Sequence, residues 1–163
     1  MKPLTKARLL VVPFEASWKT VLECAALEVF QLMANVRLES NPTSEEEPHG
    51  EQTAMVGMAG ALCGMTTLRC SRGTAVKLAS LMLGEASTPS TSRDALGELC
   101  NMIAGNFKSK VENLADNCML SVPTVITGDN YSMEMAEPNE GVSVALKYEG
   151  EPVWISLTST GGS

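Results

Sequence analysis

One histidine, few aromatic residues and no long apolar run leave this 163-residue chain without several common kinds of machinery. The histidine, His49, sits in the polar stretch "NPTSEEEPHGEQ", so neither a zinc-ligand cluster nor a histidine-based triad can be assembled. The five cysteines (24, 63, 70, 100 and 118) are an odd set with no CxxC pair. Such usage fits buried free thiols in a reducing compartment better than a disulfide framework. Basic residues are scarce and scattered: 12 Lys and Arg against 19 Asp and Glu give a formal net charge of −7. A nucleic-acid binder would show a basic stripe, and none is visible. The longest uncharged run, Ala54 to Leu68, contains three glycines and falls short of the roughly 18 residues of a spanning helix. At the N-terminus, "MKPLTKARLLVVPFE" has an apolar core of only Leu9 to Phe14, broken by Pro13 and stopped by Glu15, too short for an export signal. The expected location is the cytoplasm, with no membrane and no nucleic acid as partner.

What is present is 44% hydrophobic residues, in a chain of the length of one ordinary domain. We read residues 1–163 as a single domain, with 1–12 an N-terminal extension and 159–163 a flexible tail. Phe14, Trp18, Val21, Leu22, Ala25, Val29 and Met33 recur at helical spacing, and Pro13 near the first turn predicts one long amphipathic helix. "VRLES" begins a strand, and Ser40 to Gln52 reads as a charged surface loop. "TAMVGMAGALCGMTTLRC" predicts a hairpin turning near Ala59 to Ala61. "GTAVKLASLMLG" is a short helix and "EASTPSTS" a linker. A second long helix follows, opened by a capping box of Thr91 and Asp94 and running to about Asp116. Cys118 to Thr127 is a strand whose Pro123 marks an edge or a bulge. Val142 to Tyr148 and Val153 to Leu157 alternate around "EGEP", a hairpin signature. The methionines, Met55, Met58 and Met65 among them, read as core filling. Helices and strands come in separate blocks, so the fold class is α+β: a mainly antiparallel sheet with two long helices packed on it.

The stretch "SRDALGELCNMIAGNFKSKV" raises the functional question. At about 100° per residue, Asp94, Glu98, Asn101, Gly105, Lys108 and Glu112 fall within an arc of roughly 80°. Leu96, Leu99, Cys100, Ile103, Phe107 and Leu114 occupy the opposite side. A helix with a core side needs a wet side, which accounts for most such stripes. Glycine does not fit that account. Gly105 lies on the stripe and Gly97 at its margin, and each costs about 1 kcal/mol relative to alanine inside a helix. Glycines flanking a carboxylate and an amide leave a flat surface against which another backbone could lie.

"DALGELCNMIAGN" closely resembles the signature helix of the CheX/CheC/FliY phosphatases of bacterial chemotaxis. Their shared pattern is an acidic or serine residue, then E-x-x-N, then a proline a little over twenty residues later. Asp94, Glu98, Asn101 and Pro123 stand in those places. "SVPTVITG" around the proline is similar to the family as well. So is "GMAGALCGMTTL" followed by "AVKLASLMLGE", in the order strand pair, short helix, linker, signature helix. The resemblance runs from about Pro13 to Leu157. CheC-type members carry two pseudo-repeats, usually with two E-x-x-N helices, whereas Glu98-Leu99-Cys100-Asn101 occurs once here. The chain therefore resembles the CheX type, which implies a CheC-like fold and a homodimer formed by pairing sheets. Two features depart from the pattern: the residues before the first helix and the charged loop around Glu45 to Glu51.

The resemblance implies a protein substrate, a CheY-like receiver carrying an aspartyl phosphate beside Mg²⁺ and a lysine. The metal belongs to that partner, and no metal or other cofactor is expected on this chain. Glu98 and Asn101 are the candidate catalytic pair: the amide holds a water in line with phosphorus, and the carboxylate pairs with the receiver's lysine. Asp94, Gly97, Gly105 and Lys108 are the candidate partner-binding residues. Two other readings stay open: a docking module for a receiver or flagellar-switch protein that hydrolyses nothing, and a structural domain with no partner at this face.

Overall fold

A computed structural model of the chain describes residues 12–41, 50–131 and 140–159. Along them run α1 (Trp18–Ala34), β1 (Glu39–Ser40), β2 (Gly50–Gly60), β3 (Gly64–Cys70), α2 (Arg72–Leu83) and α3 (Pro89–Lys110). Then come β4 (Cys118–Leu120), β5 (Thr124–Tyr131), β6 (Glu140–Tyr148) and β7 (Glu151–Ser159). The fold is α+β, with three helices on one antiparallel sheet. Its strands lie in the order β1-β6-β7-β3-β2-β4, and β5 follows β4 along the same strand β2.

Period-two alternation decides which side of the sheet is covered. Ala54 pairs with Leu68, Leu68 with Ile155 and Ile155 with Val144, and all four are buried. Helix α1 crosses β6 and β7, while α3 lies over β2 and β3 and beside β4 and β5. The two helices meet where the Trp18 ring stands edge-on to Phe107, 5.6 Å between centroids. Helix α2 packs against α3, and the β6–β7 turn uses Glu149 and Gly150, both with positive φ, as a two-residue hairpin requires.

Several boundaries differ from the sequence reading for local reasons. Phe14 precedes α1 instead of opening it, and packs edge-on against Trp18 at 5.2 Å. Its apolar spacing is satisfied by a turn as well as by a helix. Ser40 belongs to β1, and Gly50 to Gln52 belong to β2, with Gln52 buried, so the predicted loop is shorter than Ser40 to Gln52. Residues 42–49, with the charged run and His49, lie outside the described residues, as do 1–11 and 160–163. Ser159 is strand, not tail, and Val12 is tied by its N–H to the Ala61 carbonyl at 2.8 Å.

The start of α3 is the clearest difference. The cap is Thr88, three residues earlier than expected, and its reciprocal partner is Thr91, with Pro89 in the first turn. Part of the supposed linker is therefore helix, and Asp94 is freed from any capping role. The helix stops at Lys110 rather than Asp116. Three successive turns follow, with Val111, Leu114 and Asn117 each bonding three residues back, and they still deliver Leu114 to the core. Of the methionines named above, Met58 is core, while Met55 and Met65 are only partly covered on the far side of the sheet.

Candidate functional site

Helix α3 is fixed from below by Ala95, Leu96, Leu99, Cys100, Ile103, Ala104 and Phe107, all buried. Burial of Phe107 alone contributes about 1.5–3 kcal/mol of hydrophobic stabilisation. Cys100 lies between Glu98 and Asn101 in number but on the opposite side in space. Its thiol faces the Ala54 and Thr66 carbonyls, and burial pushes its pKa up to about 12, so it is no nucleophile.

The polar residues of α3 divide into two groups. In the C-terminal half they are engaged within the chain. Asn106 Nδ2 and Lys110 Nζ donate to the two carboxylate oxygens of Glu28 on α1, at 3.1 and 3.0 Å. These two partners hold the Glu28 carboxyl below its ordinary range. Lys108 donates to the Cys118 carbonyl at the start of β4. The other group, nearer the N-terminus, is left without partners among the described residues and includes Asp94, Glu98 and Asn101 as well as Arg93. Asp94 and Glu98 are exposed and Asn101 is half-buried, and among the described residues their side chains make no hydrogen bond or ion pair. Residues three apart on a helix have Cβ atoms about 5–6 Å apart, so Glu98 and Asn101 can reach a single small target together.

The glycines face inward more than the stripe suggests. Gly97 is buried, and a Cβ placed there would meet Pro123 Cβ at 3.2 Å and Val125 Cγ2 at 3.5 Å. At Gly105 the nearest atom would be Leu120 Cδ1, at 3.9 Å. The missing side chains thus let α3 lie close to β4 and β5. With Lys108 engaged at Cys118, what remains free of the stripe within α3 is Asp94, Glu98 and Asn101. The fold also brings Pro123, the distant member of the sequence pattern, to the flank of Gly97. Val122 stands beside it with 83% of its surface exposed. That exposure is invisible in the sequence, where "SVPTVITG" reads as ordinary strand.

This surface is an exposed helix face, suited to entering a cleft on another protein. Among the described residues no three His, Cys, Asp or Glu side chains gather as a metal site, and no helix is long and apolar enough to cross a membrane.

A family model described as chemotaxis phosphatase CheX matches residues 52–147, which include Asp94, Glu98, Asn101 and Pro123. A curated relative, the CheY-P phosphatase CheX of Thermotoga maritima, is 34% identical over 86 residues. That match covers 51% of this chain and 55% of the relative, so it spans just over half of the relative's length. Among solved structures, chemotaxis protein CheX from Vibrio vulnificus superposes with a TM-score of 0.75 at 19% identity, covering 90% of this chain and 98% of that one. A chain of the CheX–CheY–BeF₃–Mg²⁺ complex from Borrelia burgdorferi gives 0.73 at 20% identity, covering 87% and 97%. At these identities the structural likeness establishes a shared fold.

Proposed function

Because this chain belongs to the CheX chemotaxis phosphatase family, we propose that it hydrolyses the aspartyl phosphate of a CheY-like receiver domain, using Asn101 and Glu98. The observation that carries the assignment is the division of polar residues along α3. Asn106, Lys108 and Lys110 are held within the chain, while Glu98 and Asn101, one turn apart, are left without partners among the described residues.

Phosphoryl transfer to water has a loose transition state, so catalysis is mainly a matter of placing the nucleophile and balancing charge. Asn101 suits the first task. Its amide offers both an acceptor and donors, so it can hold a water by one hydrogen and direct the lone pair at phosphorus. Holding the water in line lowers the barrier by several kcal/mol, because the cost of orientation is met on binding. Its half-buried position on a helix clamped by Phe107 and the Glu28 contacts limits the rotamers it must lose.

Glu98 suits the second task. Exposed and acceptor-only when ionised, it pairs with a cationic group beside the phosphate, the receiver's lysine. Asp94, two turns before Asn101 and free of the cap, adds negative charge at the same margin. The metal is the partner's own Mg²⁺; the curated relative is named for CheY-P, and the Borrelia complex contains CheY, beryllofluoride and Mg²⁺.

The test is phosphate release from a phosphorylated CheY-like receiver in Mg²⁺, with this protein at substoichiometric amounts. Wild type should accelerate release through many turnovers, and Glu98→Ala should weaken association. Binding without acceleration, across every CheY-like receiver of the source genome, would leave a docking module in place of an enzyme.

A further inference from the structure

Pro123 is half of a built feature, and Val122 is the other half. Between β4 and β5 the chain leaves the ladder, and the break is fastened on both sides. The Ser121 N–H donates to the Gly57 carbonyl at 2.9 Å, and the Gly57 N–H donates to Ser121 Oγ at 2.8 Å. The same hydroxyl donates to the Val122 carbonyl at 3.1 Å. On the helix side, Pro123 closes on Gly97, the residue before Glu98. Held in this way, Val122 is the most exposed large hydrophobic among the described residues. A lone exposed valine needs no explanation. One presented by a pinned break, against the helix turn that carries the free carboxylate, is placed for contact.

Resting on the phosphatase reading above, we infer that Val122 is a second docking contact for the receiver, one that fixes the angle at which Asn101 enters its site. The occupant it fits is an apolar side chain bordering the receiver's phosphorylation pocket. The polar contact at Glu98 and the apolar contact at Val122 come from two different elements. Two such points restrain rotation of the partner, which one helix face alone would permit. A membrane is a poor alternative, because the free carboxylate of Glu98, next to the Gly97 on which Pro123 closes, repels anionic headgroups.

The experiment compares Val122→Asp, Val122→Leu and Met119→Asp with wild type. Met119 is also strongly exposed, but it pairs with Ala59 on the sheet face away from the helices, so it controls for added charge. The readouts are the dissociation constant for a CheY-like receiver activated with beryllofluoride and Mg²⁺, and KM and kcat for hydrolysis of the phosphorylated receiver. Val122→Asp should raise the dissociation constant and KM by about tenfold, the size of a moderate interface contact, and should also lower kcat, because Asn101 then enters at a less fixed angle. Val122→Leu should behave as wild type, and so should Met119→Asp. An active wild type whose KM is unmoved by Val122→Asp overturns the contact and leaves the phosphatase reading intact. Equal losses for Val122→Asp and Met119→Asp overturn it too, as a general charge effect. A loss of self-association on sedimentation, with KM unmoved, assigns Val122 to a second copy of this chain instead. A wild type that neither binds nor hydrolyses the receiver overturns the phosphatase reading and this contact together.

Discussion

Gly97 shows how one residue links stability to the site. Its lack of a side chain costs helix propensity, about 1 kcal/mol, and in return Pro123 closes onto α3 beside Glu98. Gly97→Leu should therefore force Pro123 away and lower the unfolding free energy by about 1–3 kcal/mol, read from urea denaturation. A value within error of wild type would mean that the break between β4 and β5 gives way freely. The residues of the polar stripe were legible in the sequence because helical periodicity is a property of spacing alone. The direction of the glycines was not. Gly97 sits at the margin of the stripe, and only the long-range approach of Pro123 decides whether that margin faces solvent or strand. For the same reason Lys108 read as a candidate partner-binding residue, and its hydrogen bond to the backbone carbonyl of Cys118 is one that no local pattern announces.

Helix α3 is the element on which the account turns, and its placement depends on the sheet and α1 more than on its own sequence. Phe107 is fully buried and packs edge-on with Trp18. Phe107→Ala should cost about 3–5 kcal/mol of stability, measured by thermal or urea unfolding, through lost burial and the cavity left behind. A loss below about 1 kcal/mol would show that α1 and α3 collapse into the space. The existence and type of most elements were legible, since the hairpins alternate cleanly and both long helices repeat their apolar residues. The ends of α3 were less so. Thr88 and Thr91 form the box where Thr91 and Asp94 offered an equally good one, and Leu114 continues the helical spacing through what are separate turns. Pattern alone cannot rank two overlapping caps.

For the molecule as a whole, the pairing of β1 with β6 and of β3 with β7 joins strands far apart in the chain, which is why the order of the sheet was not readable beforehand. The segregated blocks did indicate α+β. The thiols report on that whole. Cys24 and Cys63 are exposed, whereas Cys70 on β3, Cys100 on α3 and Cys118 on β4 are buried in one core. Burial pushes the Cys70 and Cys100 thiols up to about 12 and raises Cys118 as well, so none of the three is a ready thiolate near neutral pH. A disulfide-exchange reagent should label two thiols in the folded protein, and the other three should appear together as it unfolds. Separate exposure of Cys118 would indicate that the β4 edge opens by itself. On the proposed reading, function is also a property of the whole molecule, because α3 acts only if the fold presents Asn101 to another protein's phosphate. The most direct measurement is the single-turnover rate of phosphate loss from a saturating complex with a phosphorylated CheY-like receiver, for wild type and Asn101→Ala. The account predicts a fall of at least about 100-fold in that rate, with the dissociation constant nearly unchanged, because the variant loses its hold on the water and keeps its anchor. An Asn101→Ala protein that hydrolyses as fast as wild type would contradict it.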